Sequence, residues 1–197
     1  MKKPFWKRVN RGFVVSMALL AVVLVYVLVT QLMLLPEKKA IRALGEELRT
    51  MMESSTKLSG EEIEALKDPA AFEKKSKELR EQLAALFTED ASYLEDALQS
   101  LTSELSLQTE EMQRITSRTN PRKESRCVVD QDTAALSLNY EYDVQGEFWD
   151  YGMEKLVEQT CRQRMEIGLV CKKVDGEWKI FRVSNLYLYT YGEGGMW

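Results

Sequence analysis

The stretch of sequence that decides the fold is TAALSLNYEYDV, residues 133–144, in which apolar and polar side chains alternate. Because successive side chains of a β-strand point to opposite faces, this alternation indicates a strand with one buried face and one exposed face. The apolar face carries residues spaced by two: Ala134, Leu136, Leu138, Tyr140, Tyr142 and Val144. The outer part of the chain is therefore predicted to centre on an antiparallel sheet that is buried on one side.

Two tight turns place further strands beside this one. Gln131-Asp132 folds a strand at 125–130 back onto it, which pairs Cys127 with Leu136 and makes that cysteine a small core residue. Asp175-Gly176 has the favoured chemistry for a two-residue hairpin turn between two longer extended runs. The sequence thus predicts a run of antiparallel strands joined by hairpins.

The second hairpin gives a register for the aromatic residues near the C-terminus. It sets Arg164 opposite Tyr187 and Arg162 opposite Tyr189, with Tyr191 on the same face. Exposed guanidinium groups over tyrosine rings form cation–π contacts of about 0.5–1 kcal/mol. Tyrosine and arginine are common at the centres of protein interfaces, so these five residues are candidate contact residues. The alternative is that alternating tyrosines merely line the sheet.

Helical signals precede the strands. The capping box at 59–62 and the Asp-Pro pair at 68–69 are typical helix starts. Apolar periodicity predicts helices at 70–87 and at 89–105, the second one capped by Thr88. Helices followed by antiparallel strands indicate an α+β domain, in which the helices pack on one face of a curved sheet.

Near the N-terminus, residues 13–35 form a run of 23 without Asp, Glu, Lys or Arg. A helix of that length spans about 35 Å, enough to cross a ~30 Å hydrocarbon core. Five basic residues and no acidic one precede it, which predicts a cytoplasmic tail at 1–12. The alternative, a cleaved signal peptide, has a shorter apolar core and a small-residue cleavage site that Leu34-Leu35-Pro36 does not provide. We expect a single-pass anchor in the cell membrane, with the C-terminal domain extracytoplasmic.

A charged segment at 36–67 follows the membrane helix. Its apolar residues recur at three- and four-residue steps: Ile41, Leu44, Leu48 and Met51. The stripe covers barely two heptads, fewer than a coiled coil needs, so it favours a helical spacer over a paired stalk. The domain itself is then predicted at 68–191, with a flexible tail at 192–197.

Charge and composition exclude several classes of function. Without the five basic residues of the tail, 22 Lys and Arg remain against 31 Asp and Glu, a net charge of −9. Phosphate contacts need clustered cations, so nucleic acid is not an expected partner. The chain has no histidine, the commonest metal ligand and general base, so we expect no metal site and no cofactor. Three cysteines without CxxC spacing support neither a zinc site nor a redox dithiol.

Two short motifs resemble NTF2-like domains, which have the cystatin-like α+β fold. VVDQDTA at 128–134 is similar to the V-D-x-D-x-A hairpin of that superfamily, and VDGEWKI at 174–180 is similar to the turn that closes many members. The resemblance covers 68–191 and implies a cone, in which a bent sheet wraps around helices and leaves a pocket. A membrane helix followed by such a domain also resembles the VirB8/TcpC class of secretion and conjugation components, and small envelope proteins of Firmicutes.

These features favour a non-enzymatic binding or assembly module of the bacterial envelope. Its expected partners are the lipid bilayer, through 13–35, and other membrane or envelope proteins, including further copies of the chain. A small-ligand pocket is the alternative, in which Phe148, Trp149 and Tyr151 close the pocket mouth; the same residues equally suit a packed loop. A signalling receptor is disfavoured, since a tail at 1–12 is too short for an effector domain.

Catalysis is the least favoured function for such a pocket. An isomerase of this fold works without histidine, using a carboxylate base and a tyrosine donor, for which Glu141, Asp143 and Tyr140 are the candidates. Both carboxylates fall on the polar face of their strand, however, where solvation is the simpler expectation. The sequence shows no complete set of acid, base and orienting group, so no catalytic residue is predicted.

Overall fold

The computed structural model describes residues 11–89, 93–192 and 195–196. In these residues the helices come first and the strands follow. The helices are α1 Arg11–Met33, α2 Leu35–Ser55, α3 Gly60–Leu66, α4 Pro69–Leu86 and α5 Leu94–Thr109. The strands are β1 Gln113–Asp130, β2 Thr133–Asp150, β3 Lys155–Val174, β4 Glu177–Gly192 and β5 Gly195–Met196.

The chain forms two compact units, one that ends at Lys39 and one that begins at Ala40. In the first unit, Gly12–Met33 has a mean hydropathy of 2.8. A helix of this length and composition is able to cross a bilayer, as expected for 13–35. Residues 1–10 of the predicted cytoplasmic tail lie outside the described residues.

The second unit is built on an antiparallel meander in the order β1-β2-β3-β4-β5. The alternation predicted for β2 is confirmed, because its residues from Ala134 to Val144 are buried at every second position. Buried residues of α2, α4 and α5 form one hydrophobic core with that face of the sheet. This is the predicted α+β class, with helices on one face of a curved antiparallel sheet.

Both predicted turns are confirmed. Asp175 and Gly176 have φ angles of 51° and 88°, and a type I′ turn requires positive φ at both central residues. At the first turn, Cys127 pairs with Leu136 as expected. At the C-terminal end, β5 pairs with the end of β4, whereas residues 193, 194 and 197 of the predicted tail lie outside the described residues.

The register predicted further along the β3–β4 hairpin is wrong by two residues. Arg164 pairs with Tyr189, not Tyr187, and Arg162 pairs with Tyr191, not Tyr189. Two β-bulges cause the shift, since the register slips once between Val170 and Cys171 and again between Gly168 and Leu169. Because the two slips add up to the two-residue period of a strand, the tyrosines keep the face that the sequence predicts.

The prediction of a spacer at 36–67 is also wrong. Ile41 and Leu48 of α2 are fully buried, and Met52 is almost so. They belong to the same hydrophobic core as the sheet, so the domain begins near Ala40 rather than at 68. The helical stripe was visible in the sequence, but the surface that covers it, the apolar face of β2, lies about 90 residues further along the chain.

A glycine allows α2 to approach the sheet closely. A Cβ atom built on Gly45 would lie 2.6 Å from Leu136 Cδ2 and 2.6 Å from Leu138 Cδ1. Any larger side chain at this position must push the helix and the strand apart, or force both leucines into other rotamers.

The helix starts are partly as predicted. The capping box of Ser59 and Glu62 is present, and Asp68 caps α4. The predicted start of the next helix at 89 is wrong, since α5 begins at Leu94. Thr88 does not cap it: its backbone N–H donates to the carbonyl of Ile180 at 3.0 Å, in a segment that runs beside β4.

We expect Gly45→Leu to lower the free energy of unfolding by about 1–3 kcal/mol, because the added side chain has no space between α2 and β2. The measurement is urea unfolding of the full chain in mild detergent, monitored by tryptophan fluorescence. Gly60→Ala is the matched control, since nothing lies within 4 Å of its added Cβ. Equal stability of the two variants would contradict the close packing.

Candidate functional site

One cross-strand row on the inner face of the sheet is polar. Tyr142 of β2 pairs with Gln163 of β3, which in turn pairs with Thr190 of β4. Gln163 has 0% exposure and is hydrogen-bonded through both ends of its amide. Its Nε2 donates to Thr190 Oγ1 at 3.1 Å, and its Oε1 accepts from Arg118 Nε at 2.7 Å. This polar row crosses a mainly apolar face.

Arg118 of β1 links the polar row to the C-terminal end of α2. Its Nη1 donates to the carbonyl of Glu53 at 3.3 Å, and its Nη2 donates to Thr56 Oγ1. Gln108 reaches the same helix end, where its Nε2 donates to the Ser55 carbonyl at 2.8 Å. The last carbonyls of a helix lack partners within the helix and carry partial negative charge, which a cation stabilises. Burial lowers the pKa of Arg118.

Two glutamates of α2 hold the tyrosines of β2. Tyr140 Oη donates to Glu46 and Tyr142 Oη donates to Glu53. Arg49 bridges the two carboxylates, with Nε 2.8 Å from Glu46 Oε2 and Nη1 2.5 Å from Glu53 Oε1. Burial raises the pKa of Tyr142, as does its bond to Glu53.

The surroundings of Glu46 strongly favour its charged form. Burial acts to raise its pKa, but hydrogen bonds from Lys123, Tyr140 and Arg49 outweigh this effect and lower the pKa to about 2. A carboxylate that accepts several charge-assisted bonds is held ionised in this way. The contact between α2 and the sheet is therefore electrostatic as well as apolar.

A cleft of about 550 Å³ lies beside this contact. It runs between the C-terminal half of α2 and β1, where the register with β2 shifts between Thr119 and Arg122. Its floor includes Tyr140 and Tyr142, whose rings stack at 5.9 Å with an interplanar angle of 11°. The remaining lining residues are Arg49, Thr50, Glu53, Ser54, Lys57, Arg118 and Pro121. Sequence reasoning missed this cleft because its residues come from three separate elements.

A second cleft, of about 180 Å³, lies at the other end of the polar row. Thr190 reaches it, as do Glu104 and Gln113. Burial raises the pKa of Glu104, although Gln113 Nε2, 3.3 Å away, and the charge of Arg118 act in the opposite direction. The apolar lining residues are Leu107, Met112, Phe148, Trp149, Tyr151 and Leu188.

The predicted contact residues therefore divide into two groups. Phe148, Trp149 and Tyr151 come together at the second cleft. The other group lies on the outer face of β3 and β4, away from the helices: Arg162, Arg164, Tyr187, Tyr189 and Tyr191.

The outer group is exposed and charged. Tyr187 and Tyr189 are 51% and 37% exposed, and their ring centroids lie 5.8 Å apart. The arginines contact carboxylates: Arg164 Nε lies 2.9 Å from Glu166 and Arg162 Nη1 lies 3.5 Å from Glu141. The cation–π contacts that the structure shows are elsewhere, for example Arg49 over the ring of Tyr140 at 5.2 Å.

The residues considered for catalysis are not brought together. Tyr140 lies on the inner face, where it donates to Glu46. Glu141 lies on the outer face and accepts from Tyr191 Oη at 3.1 Å. Asp143 is also on that face, in register with Arg162. The alternation of β2 thus separates the tyrosine from both carboxylates.

No protein-family model matches the chain, and no curated protein matches it. Among solved structures, an NTF2-like protein from Cytophaga hutchinsonii is 17% identical, covering 64% of this chain and 96% of its own, with a TM-score of 0.28. A putative calcium/calmodulin dependent protein kinase II association domain from Xanthomonas campestris is 17% identical, covering 64% of this chain and 87% of its own, with a TM-score of 0.26. At these TM-scores neither likeness carries an argument about function, and the VirB8/TcpC resemblance gains no support.

Glu46 generates a prediction about acid stability. Its pKa in the folded chain is about 2, against 4.5 for an ordinary glutamate, so its stabilising effect is complete above pH 4.5 and is lost as the pH falls toward 2. We expect Glu46→Gln to be less stable than the unmodified chain at pH 7 and to lose less stability between pH 4.5 and 2.

Urea unfolding at a series of pH values measures this difference. Glu61→Gln, on the exposed side of α3, removes one carboxylate of the same type and serves as the control. Parallel pH profiles for Glu46→Gln and the unmodified chain would show that the bonds to Lys123, Tyr140 and Arg49 do not stabilise the fold.

Proposed function

We propose that this chain is a membrane-anchored binding or assembly module of the bacterial envelope, without enzymatic activity. Its apolar helix lies in the membrane, its N-terminus is cytoplasmic, and the unit beginning at Ala40 is extracytoplasmic. The length and composition of Gly12–Met33 support the anchor. The five basic residues before it support the orientation.

The observation that carries the binding role is the outer face of β3 and β4. Tyr187 and Tyr189 expose large aromatic surfaces there, and Arg162 and Arg164 lie beside them. Tyrosine and arginine are enriched at protein interfaces and dominate their energetics. The hydrophobic core lies on the opposite side of the sheet and does not include these side chains.

The charge pattern of this face suits a second copy of the chain as its partner. The arginines of β3 lie in register with Glu141 and Asp143 of β2, so basic and acidic rows run side by side. In a two-fold interface each surface meets itself, and adjacent rows of opposite charge complement each other when one copy is rotated. Assembly into a larger envelope machine, such as a secretion or conjugation system, would build on this contact.

We expect the full chain in detergent to form a defined oligomer, and the double variant Tyr187→Ser/Tyr189→Ser to shift it to monomer, because the variant removes the exposed aromatic surface. Light scattering coupled to size exclusion measures the mass. Val128→Ser, at a residue 51% exposed on β1, is the control and should leave the oligomer intact. A monomeric unmodified chain at all concentrations would contradict self-assembly through this face.

A small-ligand binder is the second candidate, and the cleft of about 180 Å³ favours it. Glu104 is a carboxyl with a raised pKa among apolar and aromatic residues. In its protonated form it is able to donate to a carbonyl or ether oxygen of a small apolar molecule.

If this cleft binds such a ligand, native mass spectrometry of the purified chain should find a co-purified small molecule. Trp149→Ala should lose it, because the substitution removes an aromatic wall of the cleft. Trp178→Phe, on β4 away from this cleft, should retain it. If the unmodified chain carries no small molecule, the result would count against the ligand-binding function.

A further inference from the structure

The cleft of about 550 Å³ between α2 and β1 carries positive charge that the proposed module does not use. Among the described residues, three cations line it, Arg49, Lys57 and Arg118, against one carboxylate, Glu53. The chain beyond the N-terminal tail is strongly acidic, with 22 basic residues against 31 acidic ones. The lining of this cleft therefore has the opposite charge balance to the chain beyond the tail.

The three cations are not equivalent. Arg49 is neutralised, because it bridges the carboxylates of Glu46 and Glu53. The hydrogen bonds that the structure shows for Arg118 all go to uncharged oxygens, namely a side-chain amide, a hydroxyl and a backbone carbonyl. Lys57 is exposed at the mouth of the cleft. The charges of Glu53 and Glu104 also act on Arg118, but neither carboxylate accepts one of the hydrogen bonds that the structure shows for it. The cleft therefore offers an anion the remaining donors of Arg118 and the exposed charge of Lys57.

The C-terminal end of α2 offsets only part of this charge. A helix end is equivalent to about half an elementary charge, whereas Arg118 and Lys57 each carry a whole one. A guanidinium group has five N–H donors. The three hydrogen bonds of Arg118 therefore leave donors for a further acceptor. Both the charge and the donors suit an anion.

We propose that this cleft binds the anionic group of a ligand, a phosphate or a carboxylate, between Arg118 and Lys57. The size falls in the usual range for small-molecule sites. The stacked rings of Tyr140 and Tyr142 provide a flat floor for the rest of the ligand. The site is independent of the outer face, so it holds whether or not the chain self-assembles there.

A free phosphate and a lipid headgroup present the same anionic group, and the experiment separates these two sources. Thermal unfolding of the full chain in neutral detergent is followed with increasing inorganic phosphate or citrate, at ionic strength held constant with chloride. The same chain in phosphatidylcholine vesicles is compared with and without phosphatidic acid. We expect a saturable rise in Tm with at least one of these probes.

Two matched lysine variants test the site itself. Lys57→Gln should weaken binding of the probe that raises Tm about tenfold or more, because it removes the exposed cation of the site. Lys74→Gln removes the same charge from the exposed side of α4 and should bind like the unmodified chain. Equal responses of the two variants, or no saturable response to phosphate, citrate or phosphatidic acid, would overturn the proposal.

Discussion

The packing of α2 against the inner face of β2 is the contact on which the rest of the domain depends. Gly45 lets the helix approach Leu136 and Leu138, and the buried side chains of the same helix complete the core. Next to this apolar contact, Glu46 and Glu53 accept hydrogen bonds from the hydroxyl groups of the β2 tyrosines. A buried tyrosine hydroxyl without an acceptor is costly, so the helix provides both apolar cover and hydrogen-bond partners.

Buried polar groups must be paired, and this requirement determines the hydrogen bonds around the C-terminal end of α2. Gln163, with no exposed surface, is satisfied by Arg118 on one side and by Thr190 on the other. Arg118 is in turn fixed by the end of α2. The two clefts lie at opposite ends of this row, one polar and cationic, the other largely apolar with a single carboxyl from Glu104. Buried polar networks of this kind favour one arrangement of the core.

Local signals in the sequence were sufficient for the elements and for the class of the fold. The alternation in β2, the capping box at 59–62 and the turn at 175–176 each depend on a few neighbouring residues, and each is confirmed. Of the site, the sequence picked out the aromatic residues of β4 and those around Trp149. It did not show that these form two separate groups, because the cleft that gathers Phe148, Trp149 and Tyr151 also takes residues from α5, β1 and β4.

The sequence by itself determined an apolar helix long enough to span a bilayer, an acidic domain and an α+β order of elements, since length, charge and periodicity are local properties of the chain. The tertiary structure alone decided that α2 belongs to the core rather than to a spacer, because the partner surface of its apolar stripe lies on β2. It alone also assembled the polar row and the cationic cleft. Their members, such as Lys57, Arg118 and Gln163, are far apart in sequence, and only the folded sheet brings them together.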